Sequence, residues 1–181
     1  MNKELPEYIF KKNYDSFYLL TEFDIVFNKK FTEKLNIFCK KIGSAKLSIN
    51  LDVPLEYNLL VPNRIELINS NNLDDFYEMG TNVNGNELLY YMINFFIDDN
   101  SGLWEIYISI ENEISIIGCS NQISSLFEVI FNPYEEESLE QKYKIITDMF
   151  SSEKVKIEFI ESLESNYKFS NFGYIEGKDI Q

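Results

Sequence analysis

The sequence predicts a single α+β domain, a modest antiparallel sheet with helices packed on it, and three observations carry that reading. Residues 103–118 (LWEIYISIENEISIIG) alternate as two paired strands do. Phe31, Leu35, Phe38 and Ile42 recur at helical spacing. Apolar residues make up 45% of the 181, with fifteen Phe, twelve Tyr and one Trp, enough to close a core. Strands and helices interleaved around an antiparallel hairpin are the pattern of an α+β fold. Residues 1–181 read as one domain with a loose tail over 173–181, and no internal repeat is visible.

Residues 5–27 mix aromatic and charged side chains and fit one or two strands, or a short helix and then a strand. A helix starts near Phe31, keeps Lys30, Lys34, Lys40 and Lys41 off its apolar face, and ends at Gly43, a C-cap residue. Residues 45–51 and 64–69 alternate like strands, with Pro54 and Pro62 between them. Asn71 or Asn72 can cap a short helix through Met79. After the Asn84-Gly85-Asn86 turn, ELLYYMINFFI is apolar nearly all round, a buried helix or strand. Beyond the hairpin, Ser120 or Asn121 can cap a helix holding Ile123, Leu126, Phe127 and Ile130. Glu135, Glu136 and Glu137 open another, with Leu139, Tyr143, Ile146 and Phe150 on one face. Residues 152–167 read two ways, with helix slightly favoured: Val155, Ile157 and Phe159 alternate, yet Val155, Phe159 and Leu163 recur every fourth residue.

The hairpin register follows from its faces. Trp104, Ile106, Ile108 and Ile110 share one face of the first arm, and Ile114 and Ile116 must join it. Opposed residues of an antiparallel pair point the same way. A three-residue loop, Glu111-Asn112-Glu113, meets that condition by setting Ile110 against Ile114, with Asn112 tolerating a left-handed conformation. Tyr107 then lies opposite Ile117 on the other face, beside Glu105, with Glu111 and Glu113 in the loop. An aromatic ringed by carboxylates resembles a binding hot spot with an electrostatic rim. Helices covering this face too would leave only the loop acids exposed.

Charge is distributed unevenly. Between Arg64 and Lys142 lie 77 residues with fifteen carboxylates and no lysine or arginine, which accounts for the net charge of −14. Carboxylates are seldom fully buried unpaired, so this describes surface. Such a field repels nucleic acid and anionic membranes and speeds the approach of basic partners. No apolar run approaches the ~20 residues that span a bilayer, and no signal-peptide stretch stands at the start. Histidine is absent, which removes the commonest general base and most zinc sites. Cys39 and Cys119 read as buried free thiols, although Cys119, before a predicted helix, has the position of an activated thiolate. The reading is a protein of the reducing cytoplasm. Asp98-Asp99-Asn100-Ser101-Gly102 looks like the start of a calcium loop. Leu103 and Ser109 fall where such a loop needs Gly and Glu, so a tight acidic turn is expected instead. No phosphate-binding glycine motif occurs. No cofactor, metal or catalytic residue is expected.

The stretch DDNSGLWEIYISIENEISIIGCSNQISSLFEVI resembles the strand–loop–strand–helix segment of immunity-type proteins from bacterial polymorphic and contact-dependent toxin systems. There a Trp-containing strand leads to a short strand ending in Ile-Gly and then a helix. The resemblance implies a cytoplasmic, non-enzymatic antidote that neutralises a basic toxin domain by direct binding, and it carries over no specific contact residue. The charge pattern offers Asp98, Asp99, Glu105, Glu111 and Glu113 as partner contacts, with Tyr107 as an aromatic anchor. The competing readings are a carboxylate- or metal-dependent hydrolase and a structural adaptor for a basic partner.

Overall fold

The computed structural model describes residues 4–21, 29–52, 93–131, 138–148 and 150–170, together with the backbone of residues 64–67. The elements in chain order are β1 (Ser16–Leu20), α1 (Lys29–Ile42), β2 (Leu47–Leu51), β3 (Arg64–Leu67), β4 (Phe95–Asp98), β5 (Trp104–Ser109), β6 (Ile114–Cys119), α2 (Ser124–Phe131), α3 (Leu139–Thr147) and α4 (Glu153–Tyr167). Six strands form one sheet in the order β1-β6-β5-β4-β2-β3, every neighbouring pair antiparallel. The α+β expectation holds.

Helices cover both faces of this sheet. On the first face Trp104, Ile106, Ile108, Ile117 and Tyr18 pack under α1 and α2, where Phe38 meets Trp104 edge-on at 5.7 Å and Phe127 stacks on Tyr18 at 5.0 Å. On the second face Tyr107, Ile114, Ile116 and Leu19 pack under Ile146 of α3, under Phe159, Leu163 and Tyr167 of α4, and under Ile9 and Phe10 of the N-terminal segment. Apolar residues at nearly half the positions give the sheet two sides to bury, and β6 is buried along its whole length.

Two-sided burial also corrects the hairpin register. Ser109 pairs with Ile114, Ile108 with Ser115, Tyr107 with Ile116 and Glu105 with Gly118, one residue away from the predicted pairing. The loop is therefore four residues, Ile110 to Glu113, closed by the Glu113 amide donating to the Ile110 carbonyl at 3.3 Å. Glu113, not Asn112, takes the left-handed conformation, at φ 53°. The Asn112 side chain instead donates to Ser109 Oγ at 2.8 Å. Ile114 and Ile116 thus face away from Trp104. A slip of one residue normally exposes an apolar set, but here both sides are covered, so turn chemistry decides.

The helices follow their patterns more closely. Helix α1 ends at Gly43, left-handed at φ 73°, with Lys40 and Lys41 in its last turn. Helix α3 starts from a capping box in which Ser138 and Gln141 satisfy each other's backbone amides, and Glu135–Glu137, expected to open it, lie outside the described residues. Residues 153–167 are helical: Phe159, Leu163 and Tyr167 are buried, whereas Ile157, which a strand would bury beside Phe159, is 49% exposed. The ELLYYMINFFI run ends as strand β4, and its residues 87–92, like the predicted helix over 71–79, lie outside the described residues.

The outer edge of β1 is closed by polar contacts. The Ser170 amide donates to the Phe17 carbonyl at 2.8 Å, and the ammonium of buried Lys142 donates to the Leu19 carbonyl at 2.7 Å. Open strand edges invite pairing with other chains. Burial holds Lys142 below the usual lysine range, at about 8.

Candidate functional site

The five carboxylates selected by charge fall at two ends of the sheet. Asp98, Asp99 and Glu105 lie around the β4–β5 turn, whereas Glu111 and Glu113 are exposed in the β5–β6 turn. The extended chain from Glu105 to Ser109, roughly 13 Å, and the start of the turn separate Glu105 from Glu111. Tyr107 is not a surface anchor. It is 1% exposed, packs on Phe96 at 4.7 Å, and donates to Asp52 Oδ2 at 3.3 Å. Its face is covered by the N-terminal segment and α4, so the partner-binding role assigned to Tyr107 is withdrawn.

The β4–β5 turn is built from its own acids. Asp98 Oδ1 accepts from the Asn100 amide at 2.6 Å, and Asp99 Oδ1 accepts from the Ser101 amide at 2.9 Å. The Asn100 side chain donates to Ser48 Oγ at 2.9 Å, tying the turn to β2. Asn100 and Gly102 are left-handed, at φ 62° and 72°. This is the tight acidic turn the sequence predicts. Among the described residues no group of three or more Cys, Asp or Glu side chains converges on a metal-sized point.

Beside the turn opens a cleft of about 270 Å³, on the face shared by Asn50, Phe96, Asp98 and Glu105. Its other wall is formed by Lys11, Lys12 and Tyr14 of the N-terminal segment. The Tyr8 hydroxyl clasps that segment, donating to the Lys12 carbonyl at 2.6 Å and accepting from the Tyr14 amide at 3.3 Å. The Tyr14 ring lies over Gly118, the residue paired with Glu105, and its hydroxyl reaches Glu105 Oε2 at 3.5 Å.

The two carboxylates of the cleft are unequally satisfied. Asp98 accepts from the Asn100 backbone at Oδ1 and from Asn50 Nδ2, at 2.9 Å, at Oδ2. Glu105 is half-buried and, among the described residues, has one long bond, from Tyr14. Burial, with the charge of Asp98 second, pushes its carboxyl up to about 7, against the opposing pull of Lys11 and Lys12. Perturbed carboxylates in clefts mark functional sites more often than chance. Burial and the same Glu105 charge push the Tyr14 phenol above its ordinary range.

The thiols are not part of this chemistry. Cys39 and Cys119 are fully buried, and burial pushes both upward, Cys39 to about 12. Charge counting found Asp98 and Glu105, but not Tyr14, Lys11, Lys12 or Asn50. Tyr14 is 91 residues from Glu105, and no periodicity links them.

The close approach at Gly118 gives a structural test. A Cβ there would lie 2.5 Å from Tyr14 Cδ2. Gly118→Ala is therefore expected to destabilise the fold by roughly 1–3 kcal/mol. In a Tyr14→Ala background most of that cost should vanish, a coupling that urea denaturation of the double-mutant cycle measures. Additive effects would mean that Tyr14 does not pack there.

No family model matches this chain, and neither a curated protein nor a solved structure aligns with it significantly. Among the described residues no helix is long and apolar enough to cross a membrane.

Proposed function

We propose that this protein is a non-enzymatic binding protein of the immunity type, a cytoplasmic antidote that neutralises a basic protein by direct contact. Glu105 accepts a cationic side chain of that partner. The observation that carries the reading is the state of Glu105, half-buried beside Asp98 with one hydrogen bond of 3.5 Å. A partner's ammonium or guanidinium would satisfy that carboxylate and favour its ionised form. The net charge of −14 would bring such a partner in quickly, and half-buried Asp99 with exposed Glu111 and Glu113 would steer it without carrying much affinity.

Association kinetics with the copurified natural partner test this. Glu111→Lys with Glu113→Lys should slow association several-fold at low salt and much less at high salt. Glu105→Gln should leave association nearly unchanged and speed dissociation roughly tenfold or more. An acidic partner, or a basic one whose dissociation ignores Glu105, would defeat the assignment.

One observation favours a second reading. A carboxyl pushed up to about 7 beside a second carboxylate is the arrangement of a general acid in a hydrolase. Both Asp98 oxygens already accept hydrogen bonds from the protein, which suits a structural role better than a nucleophile. Hydrolysis of activated glycosides or esters that disappears in Glu105→Gln would favour the enzyme.

A further inference from the structure

We propose that the cleft takes a dipolar ligand, a primary ammonium or guanidinium together with a carboxylate, with Glu105 receiving the cationic end and Lys11 and Lys12 the anionic end. This deepens the reading of Glu105 as a cation acceptor and rests on it, since it names the chemistry of the partner's contact segment.

The cleft contains both signs of charge without pairing them. Lys11, Lys12, Asp98 and Glu105 all line the same 270 Å³. Among the described residues, ion pairs within 4 Å form along helix α4, Lys154–Glu158 and Lys156–Glu153, whereas the lysines and carboxylates of this cleft form none with each other. Both lysines nevertheless act on the Glu105 carboxyl through space. Opposite charges thus face each other across a gap. A bare cation approaching Glu105 would meet two ammoniums, and a bare anion approaching the lysines would meet two carboxylates. A ligand carrying both charges satisfies each wall.

The walls are held in place while the lysine ends stay free to adjust. The Tyr8 hydroxyl fixes the backbone at Lys12 and Tyr14, and a Cβ at Gly102 would collide with the Lys12 ammonium, which lies against the bare backbone of the turn. Both lysine residues are exposed, so their ends can follow a ligand. Phe96 and Tyr14 supply apolar surface for a methylene linker between the charges.

The test titrates three probes of matched length, 6-aminohexanoate, hexylamine and hexanoate, into the full chain while amide shifts of Gly102, Glu105 and Lys12 are followed by NMR. 6-Aminohexanoate should bind at least several-fold more tightly than either single-charge probe. Lys11→Met with Lys12→Met should remove that advantage over hexylamine, and Glu105→Gln should remove the advantage over hexanoate. Cooperative unfolding of each variant, and amide shifts unchanged away from the cleft, will show that folding is intact. If hexylamine binds as well as the dipolar probe and the lysine variants change nothing, the dipolar assignment fails while Glu105 remains a cation acceptor. If no probe moves the Glu105 amide, or hexanoate binds best, the cation-acceptor reading fails and this inference with it.

Discussion

Trp104→Ala is expected to cost about 3–5 kcal/mol, a large part of the stability of a domain this size. Trp104 is fully buried at the start of β5, pairs across the ladder with Cys119, and packs edge-on against Phe38 of α1 at 5.7 Å. Truncation would leave a cavity between sheet and helix, and the close-packed neighbours can collapse into it only partly. Among the described residues the indole Nε1 is buried without a hydrogen-bond acceptor. Trp104→Phe keeps a ring against Phe38 and removes that orphaned donor, so it should cost much less than Trp104→Ala. Urea denaturation of both variants checks the pair. Equal losses would mean that the indole donor has a partner that matters, or that the ring contact with Phe38 contributes little.

The one-sided elements were legible in the sequence. Helix α1 exposes lysines and buries Phe31, Leu35 and Phe38, so its period and its face could both be read from spacing. Residues 152–167 were ambiguous because two periods overlap there. Burial of Phe159, Leu163 and Tyr167 with exposure of Val155 and Ile157 resolves them as a helix. The hairpin was legible as a hairpin, but its register was not. Alternation fixes a register only when one face is polar, and here the second face carries Tyr107, Ile114 and Ile116 beneath α3, α4 and the N-terminal segment.

That misreading also shaped the site. With the second face taken as open, Tyr107 stood as an anchor and five acids as its rim. Once that face is covered, the acids divide between two ends of the sheet. The part that remains chemically unusual is Glu105, where the rim closes into a cleft under Tyr14. Charge counting marked the residue, but its environment is made by contacts between segments that sequence alone does not bring together.

Glu105→Gln is expected to stabilise the protein at neutral and mildly alkaline pH and to flatten its pH dependence. The folded carboxyl stands at about 7 against an ordinary 4.5, chiefly because burial penalises its charge. Between those values the folded state holds a proton that the unfolded chain has released. Stability from this group is therefore fully present below 4.5 and is lost as pH rises through 7. Water reaches the half-exposed carboxyl and weakens the penalty, so the difference at about pH 8 should be roughly 1–2 kcal/mol in favour of the glutamine variant. Near pH 4 the two proteins should be equally stable. Burial raises Asp52 in the same direction, but Asp52 is common to both proteins and cancels in the comparison. Urea denaturation of wild type and variant at several pH values from about 4 to 8 gives the answer. A glutamine variant less stable than wild type at pH 8 would show that the folded protein already satisfies the Glu105 charge. Nothing would then be left for a partner's cation to relieve, and the cleft would lose its claim as the binding site. If the expected divergence appears, affinity for the basic partner should rise from pH 6 to 8, because binding then draws on a carboxylate that no longer has to be deprotonated first.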